Sequence, residues 1–456
     1  MTRRRRPAAG GLHPAAAPSL VYANSRGEIL DAPDLAMAGR SGRQILAPAR
    51  QDLIPLPPGS ELFALPERLP VGLDRASGRP QTLTGDPLVP GEPVQAVAAF
   101  LAPAHTAILT APWHPRRPEL PALPLFAYTA VGWHAGRFWV AAFRSDPEPR
   151  QDPDRFDLPL IRRRTTSRLS REPDNRLLQH LGHCCLTYGC PAARNLFLSR
   201  WEAPLPTSPS CNARCLGCIS LQPAGCCPST QERIRFRPTE AEVLGVALPH
   251  LEKASRPVVS FGQGCEGEPL LGADLLAGSV QAIRRATSRG TVNLNSNASR
   301  PEAVARLAAA GLDSLRVSLN SARPDRYQRY YRPQDYDFGQ VLDSIRTMKA
   351  AGRFVSLNYF ILPGFSDQPA ELAALSALIA DLSPDLIQLR NLNMDPDWYL
   401  AAVGEADDAP GLGIRAWLAE LRRRFPHLRF GYFNPFLGDE PQNVQQRMSK
   451  GEGTGR

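Results

Sequence analysis

From residue 196 onward, short apolar runs alternate with longer amphipathic segments. The short runs are bounded by glycine, proline and polar residues, which is typical of strands buried on both faces. The longer segments repeat apolar residues at helical spacing, and several of them begin at Thr or Pro and end before Gly. Regular alternation of this kind predicts a parallel sheet whose connections are helices.

The strands predicted in this region are RNLFLSRW, RPVVSFG, TVNLNSN, SLRVSLN, FVSLNYFILPG, LIQLRNLN and LRFGYF. They predict an α/β fold with a partial (β/α)6-type, TIM-like barrel core over residues 196–437. A full barrel and a doubly wound open sheet are the alternatives. In all of these folds, functional groups collect at the C-terminal ends of the strands. The polar residues that follow each predicted strand are therefore expected to face one site.

The chain before residue 196 has a different pattern, with β-prone runs separated by proline-rich turns. AYTAV and RFWVAAF, with Gly132 to Gly136 between them, predict a hairpin. Trp133 and Trp139 in this hairpin are predicted to pack internally. Outside the barrel core, the predicted organisation is a disordered basic arm over residues 1–20, a β-rich accessory domain over 21–144, a linker with a Cys-rich segment over 145–195 and a loose tail over 438–456.

The composition is that of a globular enzyme, with 43% hydrophobic and 21% charged residues among 456. The sequence has no run of about eighteen apolar residues, so we expect no membrane-spanning segment. The basic start, MTRRRR, lacks the apolar segment of a signal peptide, and a cytoplasmic protein is expected. The net charge of +9 is concentrated in Arg3–Arg6 and Arg162–Arg171. Such patches can contact phosphates, but a solvated arm and a solvated linker are the simpler interpretation.

All nine cysteines lie between Cys184 and Cys265. A tight cluster in a large chain indicates metal binding rather than disulfide staples. The stretch CNARCLGC places Cys211, Cys215 and Cys218 at the spacing C-x-x-x-C-x-x-C, and no fourth thiol completes the local set. Three thiolates suit an iron–sulfur cluster that keeps one iron open for a small molecule with an amine and a carboxylate.

The segment from about residue 196 to residue 433 resembles the core of a radical S-adenosylmethionine (SAM) enzyme. The C-x-x-x-C-x-x-C signature of that superfamily matches Cys211, Cys215 and Cys218. Its G-G-E-P-like motif reads EGEP here, over Glu266–Pro269, with Glu in place of the first glycine. A serine that often meets SAM at the fourth strand of the family matches Ser318 in RVSLN.

The resemblance implies a [4Fe-4S] cluster on the three cysteines and SAM at its open iron. Reductive cleavage of SAM would give a 5′-deoxyadenosyl radical that removes hydrogen from an unidentified substrate, with flavodoxin or ferredoxin as the electron donor. Cys265, beside the EGEP motif, is a candidate catalytic residue, and packing against the barrel floor is the alternative. The candidate SAM contacts are Gly264, Glu266, Gly267, Glu268, Pro269, Asn295, Asn297, Ser318, Asn320 and Arg390.

The remaining cysteines are candidates for a second iron–sulfur cluster or another metal, and inert buried thiols are the alternative. They are Cys184, Cys185, Cys190, Cys226 and Cys227. His183 is a candidate ligand beside them. Two other functions stay open: a noncatalytic iron–sulfur electron carrier, and an RNA-modifying radical SAM enzyme that uses the arginine patches. An electron carrier does not need EGEP or RVSLN, and the chain contains no recognised RNA-binding module.

Overall fold

A computed structural model describes residues 17–222, 227–405 and 410–438. The second half of the chain is built on a parallel sheet of seven strands that lie in sequence order. These strands are β14 (Glu202–Leu205), β15 (Val258–Phe261), β16 (Thr291–Ser296), β17 (Ser314–Leu319), β18 (Phe354–Ile361), β19 (Leu386–Asn391) and β20 (Arg429–Gly431). The order confirms the predicted α/β core, because each strand pairs in parallel with the next one along the chain.

The parallel sheet curls into a partial barrel. Asn434, just after β20, donates from Nδ2 to Glu202 Oε1 on β14 at 2.6 Å, and its Oδ1 accepts from Gln388 Nε2 on β19 at 3.0 Å. One amide side chain therefore reaches both the first and the sixth strand. Because the described strands pair only along the sequence, β14 and β20 are the two edges of an incomplete barrel.

Helices cover the outer face of this sheet and precede it. They are α1 (Leu158–Arg171), α2 (Arg176–Leu186), α3 (Pro191–Phe197), α4 (Glu240–Lys253), α5 (Ala273–Ala286), α6 (Pro301–Ala310), α7 (Pro324–Tyr331), α8 (Phe338–Ala350), α9 (Pro369–Leu382), α10 (Pro396–Val403) and α11 (Ile414–Arg424). Capping boxes start α4, at Thr239 and Glu242, and α8, at Asp337 and Gln340. Gly311 ends α6 in the left-handed region at φ 107°, where glycine is favoured.

The region predicted as a linker is mostly helical, since α1, α2 and α3 occupy it. The side chains of Asp157 and Asn175 start the first two helices by accepting from Leu160 N and Leu178 N. The arginine patch forms the exposed side of α1, whose buried residues are Ile161 and Thr165. The first predicted strand, RNLFLSRW, also differs, because Asn195–Phe197 belong to α3 and the strand begins at Glu202. Pro191 starts that helix, and its apolar side faces the core.

The N-terminal region forms a separate antiparallel sheet. Its strands are β1 (Ser19–Ala23), β2 (Ile29–Ala36), β5 (Leu53–Pro55), β6 (Glu61–Leu65), β7 (Arg68–Asp74), β8 (Pro80–Thr82), β9 (Gln95–Phe100), β10 (His105–Ala107), β11 (Trp113–Pro115), β12 (Val131–His134) and β13 (Arg137–Arg144), with β3 (Gly39–Ser41) and β4 (Gln44–Leu46) paired beside it. A hairpin is present as β12 and β13, in which Trp133 pairs with Phe138 and the ring centroids lie 4.7 Å apart. Its first strand begins at Val131, where the predicted strand AYTAV ends.

The accessory sheet docks on the sixth strand of the barrel. Asn391, at the end of β19, donates to the His105 carbonyl at 3.0 Å and accepts from Ala107 N at 2.9 Å. Asp395 lies 3.6 Å from Arg68, and both side chains are almost fully buried. The same carboxylate accepts from Leu123 N at 3.1 Å.

Within the described residues, none of the helices is long and apolar enough to cross a membrane.

We expect Asp395→Ala to destabilise the protein by about 3 kcal/mol, because it leaves the buried Arg68 guanidinium without its charge partner. The measurement is the free energy of unfolding from urea denaturation followed by tryptophan fluorescence. Asp274→Ala is the control, because Asp274 forms an exposed ion pair with Arg306 and its removal should cost about 0.5 kcal/mol or less. Equal destabilisation by the two substitutions would contradict the role given to Asp395.

Candidate active site

The three cysteines of CNARCLGC lie on the long loop between β14 and α4, at the C-terminal edge of the sheet. Cys211, Cys215 and Cys218 are all half-buried. The loop after β15 holds the start of this loop in place by two backbone hydrogen bonds. Gly267 N donates to the Ser208 carbonyl at 2.7 Å, and Glu268 N donates to the Ser210 carbonyl at 2.8 Å. The sequence motifs at the first two strands are therefore joined directly.

Gly267 is the point of closest approach between the two loops. A Cβ atom added at this glycine would lie 2.0 Å from the Ser210 carbonyl oxygen and 2.4 Å from its carbon. Both atoms belong to backbone immediately before Cys211, so neither can move without shifting the cysteine loop. The glycine of EGEP is thus required by packing against the thiol-bearing segment.

A second wall of the cysteine loop is the C-terminal end of α7. Leu216 N donates to the Tyr330 carbonyl at 3.0 Å, and Arg214 N donates to the Tyr331 carbonyl at 3.0 Å. Tyr327, Tyr330 and Tyr331 are buried among one another and Phe338. These tyrosines pack as a block that supports the loop.

The two carboxylates of EGEP bind backbone and side-chain donors of the protein. Glu266 accepts from Thr207 N at 2.7 Å, Ser208 N at 3.0 Å and Gln263 N at 2.7 Å. Burial raises the pKa of Glu266 to about 7 despite these N–H groups. Glu268 accepts from Ser296 Oγ at 2.6 Å, from Asn297 N at 2.8 Å and from Leu270 N at 3.0 Å, and burial raises its pKa. Both side chains anchor loops.

The other predicted SAM contacts fall into two groups. Asn295 donates to the Gly262 carbonyl at 2.8 Å, Asn297 donates to Asn212 Oδ1 at 2.9 Å, and Asn320 donates to Tyr399 at 3.1 Å, so these three amides link structural elements. Pro269 is buried, and Gly264 packs on Gln231 and Ile219. Ser318 and Arg390 are half-buried on the inner face of the sheet.

The inner face of the sheet forms a polar lumen, defined by Glu202, Ser260, Asn293, Asn295, Ser314, Arg316, Gln388 and Asn434. Ser260 donates to Glu202 at 2.6 Å, and Asn293 donates to Ser260 at 3.1 Å. Arg316 donates from Nη1 to Gln388 at 3.2 Å. Burial and the nearby Arg390 lower the pKa of Arg316 to about 9. In the part of the chain that the structure describes, Nε of both arginines is buried without a hydrogen-bond partner.

Arg233 is a neighbour of the cysteines that the sequence did not reveal. Its Nη2 donates to Cys218 Sγ at 3.3 Å and its Nε to Ser220 Oγ at 3.1 Å. Burial raises the pKa of Cys211 to about 11 and raises that of Cys215 still further. Such thiols give up their protons when a metal binds them, and a cationic donor stabilises the resulting charge. The residues present therefore fit a group held by thiolates.

A second set of ligating atoms lies on the other side of the EGEP loop. His180 and Cys184 on α2 meet Cys265, and one ligand atom of each lies within 4.8 Å of the others. Interaction with the Cys265 thiol and with His180 lowers the pKa of Cys184 to about 5 against the effect of burial. The predicted catalytic residue Cys265 thus has a thiol and an imidazole as neighbours.

The remaining predicted ligands are spread around this second set. Cys185 turns toward Thr165 Oγ1 at 3.6 Å, and Cys190 starts α3. His183 is exposed and lies 3.2 Å from Thr187 Oγ1. Cys227 is buried, and Cys226 lies outside the described residues. The ligand that the sequence missed is His180, which stands one helical turn before Cys184.

Comparison with known proteins identifies the centre of the chain. Residues 205–375 match the family model described as the Radical SAM superfamily. These residues are a radical SAM domain. The match begins at the last residue of β14 and includes the cysteine loop, the EGEP loop and Ser318, so the resemblance seen in the sequence is confirmed.

Two curated relatives align with parts of this chain, and both are named GTP 3′,8-cyclase. The protein of Streptomyces coelicolor is 30% identical over 162 residues, which are 35% of this chain and 44% of the relative. The protein of Aquifex aeolicus is 29% identical over 145 residues, which are 31% of this chain and 44% of the relative. The chain thus spans less than half the length of these relatives.

Two solved structures are among those similar to this chain. The FeFe-hydrogenase maturase HydG from Carboxydothermus hydrogenoformans is 15% identical, covers 64% of this chain and 82% of its own, and has a TM-score of 0.34. Methylornithine synthase (PylB) is 14% identical, covers 59% of this chain and 75% of its own, and has a TM-score of 0.36.

Gly267→Ala should prevent normal assembly of the site, because the new Cβ collides with the Ser210 carbonyl and displaces Cys211. After anaerobic reconstitution, we expect the variant to hold well below the about four irons per chain of a filled cluster. Gly272→Ala is the matched control, since a Cβ there meets nothing within 4 Å. Full iron incorporation by Gly267→Ala would show that the close approach is not needed.

Proposed function

We propose that this chain is a radical SAM enzyme in which Cys211, Cys215 and Cys218 hold a [4Fe-4S] cluster. The observation that carries the proposal is the backbone pairing of the cysteine loop with Gly267 and Glu268. When bound, the cluster and SAM would supply reductive cleavage to a 5′-deoxyadenosyl radical. The protein's own part is to hold the three thiols, position SAM and exclude water from the lumen.

The proposed contacts with SAM are made mainly by the loop backbone of Gly264–Pro269. Both acidic side chains of that loop already accept hydrogen bonds from the protein, so they fix the shape of the loop rather than reach a ligand. Ser318 is half-buried on the lumen side of β17 and is the proposed side-chain contact with SAM. Asn295, Asn297 and Asn320 then act by positioning loops around SAM.

We propose that Arg233 assists the cluster, since it donates to Cys218 at 3.3 Å. A cationic donor to a ligating sulfur raises the reduction potential of such a centre. The electron itself requires an external donor such as flavodoxin or ferredoxin, and a cytoplasmic location follows from that requirement. An RNA substrate and a noncatalytic electron carrier gain no specific support from the contacts described above.

The direct test is an anaerobic assay for 5′-deoxyadenosine with reconstituted protein, dithionite and SAM. We expect product from the parent protein and none from the Cys211→Ala/Cys215→Ala/Cys218→Ala variant. Cys185→Ala is the control for loss of a thiol outside the site, and it should keep activity because Cys185 faces Thr165. The proposal is wrong if a filled cluster gives no product and SAM leaves its EPR spectrum unchanged.

We further propose that the substrate carries an anionic group, a phosphate or a carboxylate. Arg316 and Arg390 are both directed at the polar lumen, and Nε of each is buried without a partner in the described structure. Arg390 also stacks over the Tyr432 ring, with its guanidinium carbon 3.9 Å from the centroid. Buried donors of this kind are costly to leave unpaired, so an anion that bridges them would be strongly favoured.

The likeness to the two relatives agrees with an anionic substrate. Their printed name assigns them GTP, a nucleoside triphosphate. Because the chain spans less than half of either relative, GTP itself is used only as a probe. Within the named lumen residues, Glu202 is the only carboxylate, and Ser260 and Asn434 already donate to it. The two guanidiniums therefore leave a net positive charge for a substrate anion.

The substrate class is tested by isothermal titration of the reconstituted, SAM-loaded protein with tripolyphosphate and with GTP. We expect Arg316→Gln and Arg390→Gln each to weaken binding by about tenfold, as loss of one charged hydrogen bond predicts. Arg415→Gln is the control, because Arg415 is exposed and pairs with Asp52. If the lumen variants bind the probes as tightly as the parent, the anionic-substrate proposal is wrong.

A further inference from the structure

Two segments distant in sequence bring three metal-ligating side chains together outside the cysteine loop. His180 and Cys184 lie four residues apart on α2, so their side chains project from the same face of the helix. Cys265 approaches that face from the loop after β15. One ligand atom of each residue lies within 4.8 Å of the other two, and Cys184 Sγ is 3.6 Å from His180 Nε2.

The sulfur–nitrogen separation is that of two ligands around one tetrahedral ion. Zinc bonds of about 2.3 Å to sulfur and about 2.0 Å to nitrogen place a thiolate and an imidazole nitrogen about 3.6 Å apart and two thiolates about 3.8 Å apart. The observed sulfur–nitrogen distance already matches the first value. The Cys265 sulfur lies within 4.8 Å of both other ligand atoms.

We propose that His180, Cys184 and Cys265 bind a single thiophilic divalent ion of the zinc class. Two thiolates and one imidazole are a donor set that zinc commonly takes. A four-iron cluster needs more thiolates than this group supplies, and in the described part of the chain the group comprises only these three residues. A mononuclear ion is therefore favoured over a second cluster.

The ion would connect α2 to the loop that carries EGEP. The thiol of Cys265 lies against α2. The next two residues bind the cysteine loop, since the Glu266 carboxylate accepts from Thr207 N and Gly267 N donates to the Ser208 carbonyl. Cys184 and Cys265 are both buried, and His180 is half-buried at the edge of the group. A metal at this point fixes the helical segment α1–α3 against the second strand end. The site is separate in its ligands from Cys211, Cys215 and Cys218.

The proposal is tested in the full-length Cys211→Ala/Cys215→Ala/Cys218→Ala protein, which lacks the ligands of the proposed cluster. Anaerobic titration with Co²⁺ should saturate at one equivalent and produce thiolate-to-cobalt charge transfer with the visible bands of tetrahedral cobalt. Zn²⁺ should displace the cobalt and abolish these bands. The spectrum reports the ligands directly and does not depend on catalytic turnover.

Cys184→Ser and Cys265→Ser should each abolish the charge-transfer band, and His180→Gln should weaken Co²⁺ affinity by at least about tenfold. Cys185→Ser is the matched control, because it removes the adjacent buried thiol, which faces Thr165. This variant should still bind one equivalent of Co²⁺. Far-UV circular dichroism checks that each variant is folded. Should the buried cysteine variants not fold, His180→Gln still decides the question, because His180 is partly exposed.

Parent protein purified without added metal supplies an independent measurement. We expect about one zinc per chain in addition to the iron of the cluster, and the zinc should persist in the variant without the three loop cysteines. The proposal is overturned if Co²⁺ does not bind, or if binding survives Cys184→Ser and Cys265→Ser. It is also overturned if the parent protein holds additional iron in place of zinc, or if anaerobic purification yields a Cys184–Cys265 disulfide. None of these results affects the 5′-deoxyadenosine assay, so the two proposals can fail separately.

Discussion

The backbone contact between the cysteine loop and the EGEP loop organises the candidate site. These loops follow β14 and β15, which are adjacent parallel strands, so their starting points are separated by only about 5 Å. Two N–H groups of one loop then reach two carbonyls of the other. The approach is closest at Gly267, where any side chain would enter the backbone of Ser210. Every thiol, amide and carboxylate nearby takes its position from that contact.

The buried carboxylates of Glu266 and Glu268 also hold the loops of the site together. An ionised carboxylate is costly to bury unless hydrogen bonds compensate it, and Glu266 and Glu268 each accept at least three. Their donors lie at the strand ends of β14, β15 and β16, so each acid joins the segments that follow two neighbouring strands. The acidic residues of the motif therefore determine the shape of the ligand-binding backbone. Replacing Glu266 or Glu268 by Asp would keep the negative charge but shorten the side chain, and the loops bound to that carboxylate would then move together.

The sequence predicted the elements whose signals are local. The ligand spacing in CNARCLGC and the alternation of apolar strands with amphipathic helices depend on residues close together in the chain, and the structure contains the predicted alternation. Helix α1 was missed because prolines and exposed arginines resemble a linker, and only Ile161 and Thr165 of this helix are buried. The inward direction of Glu266 and the contact of Arg233 with Cys218 depend on tertiary packing, which no local pattern encodes.

The helical segment α1–α3 also explains how an incomplete barrel is stabilised. A seven-stranded open sheet exposes the backbone of two edges, and such edges must be covered to avoid pairing with other chains. At the first edge, α3 packs directly on β14, and α2 contacts α4 through Arg176 and Glu242 at 2.8 Å. At the other edge, Asn434 leaves β20 and crosses the lumen to Glu202 on β14. Side chains thus perform the closure that an eighth strand performs in a full barrel, and the lumen stays polar because those side chains are amides and carboxylates.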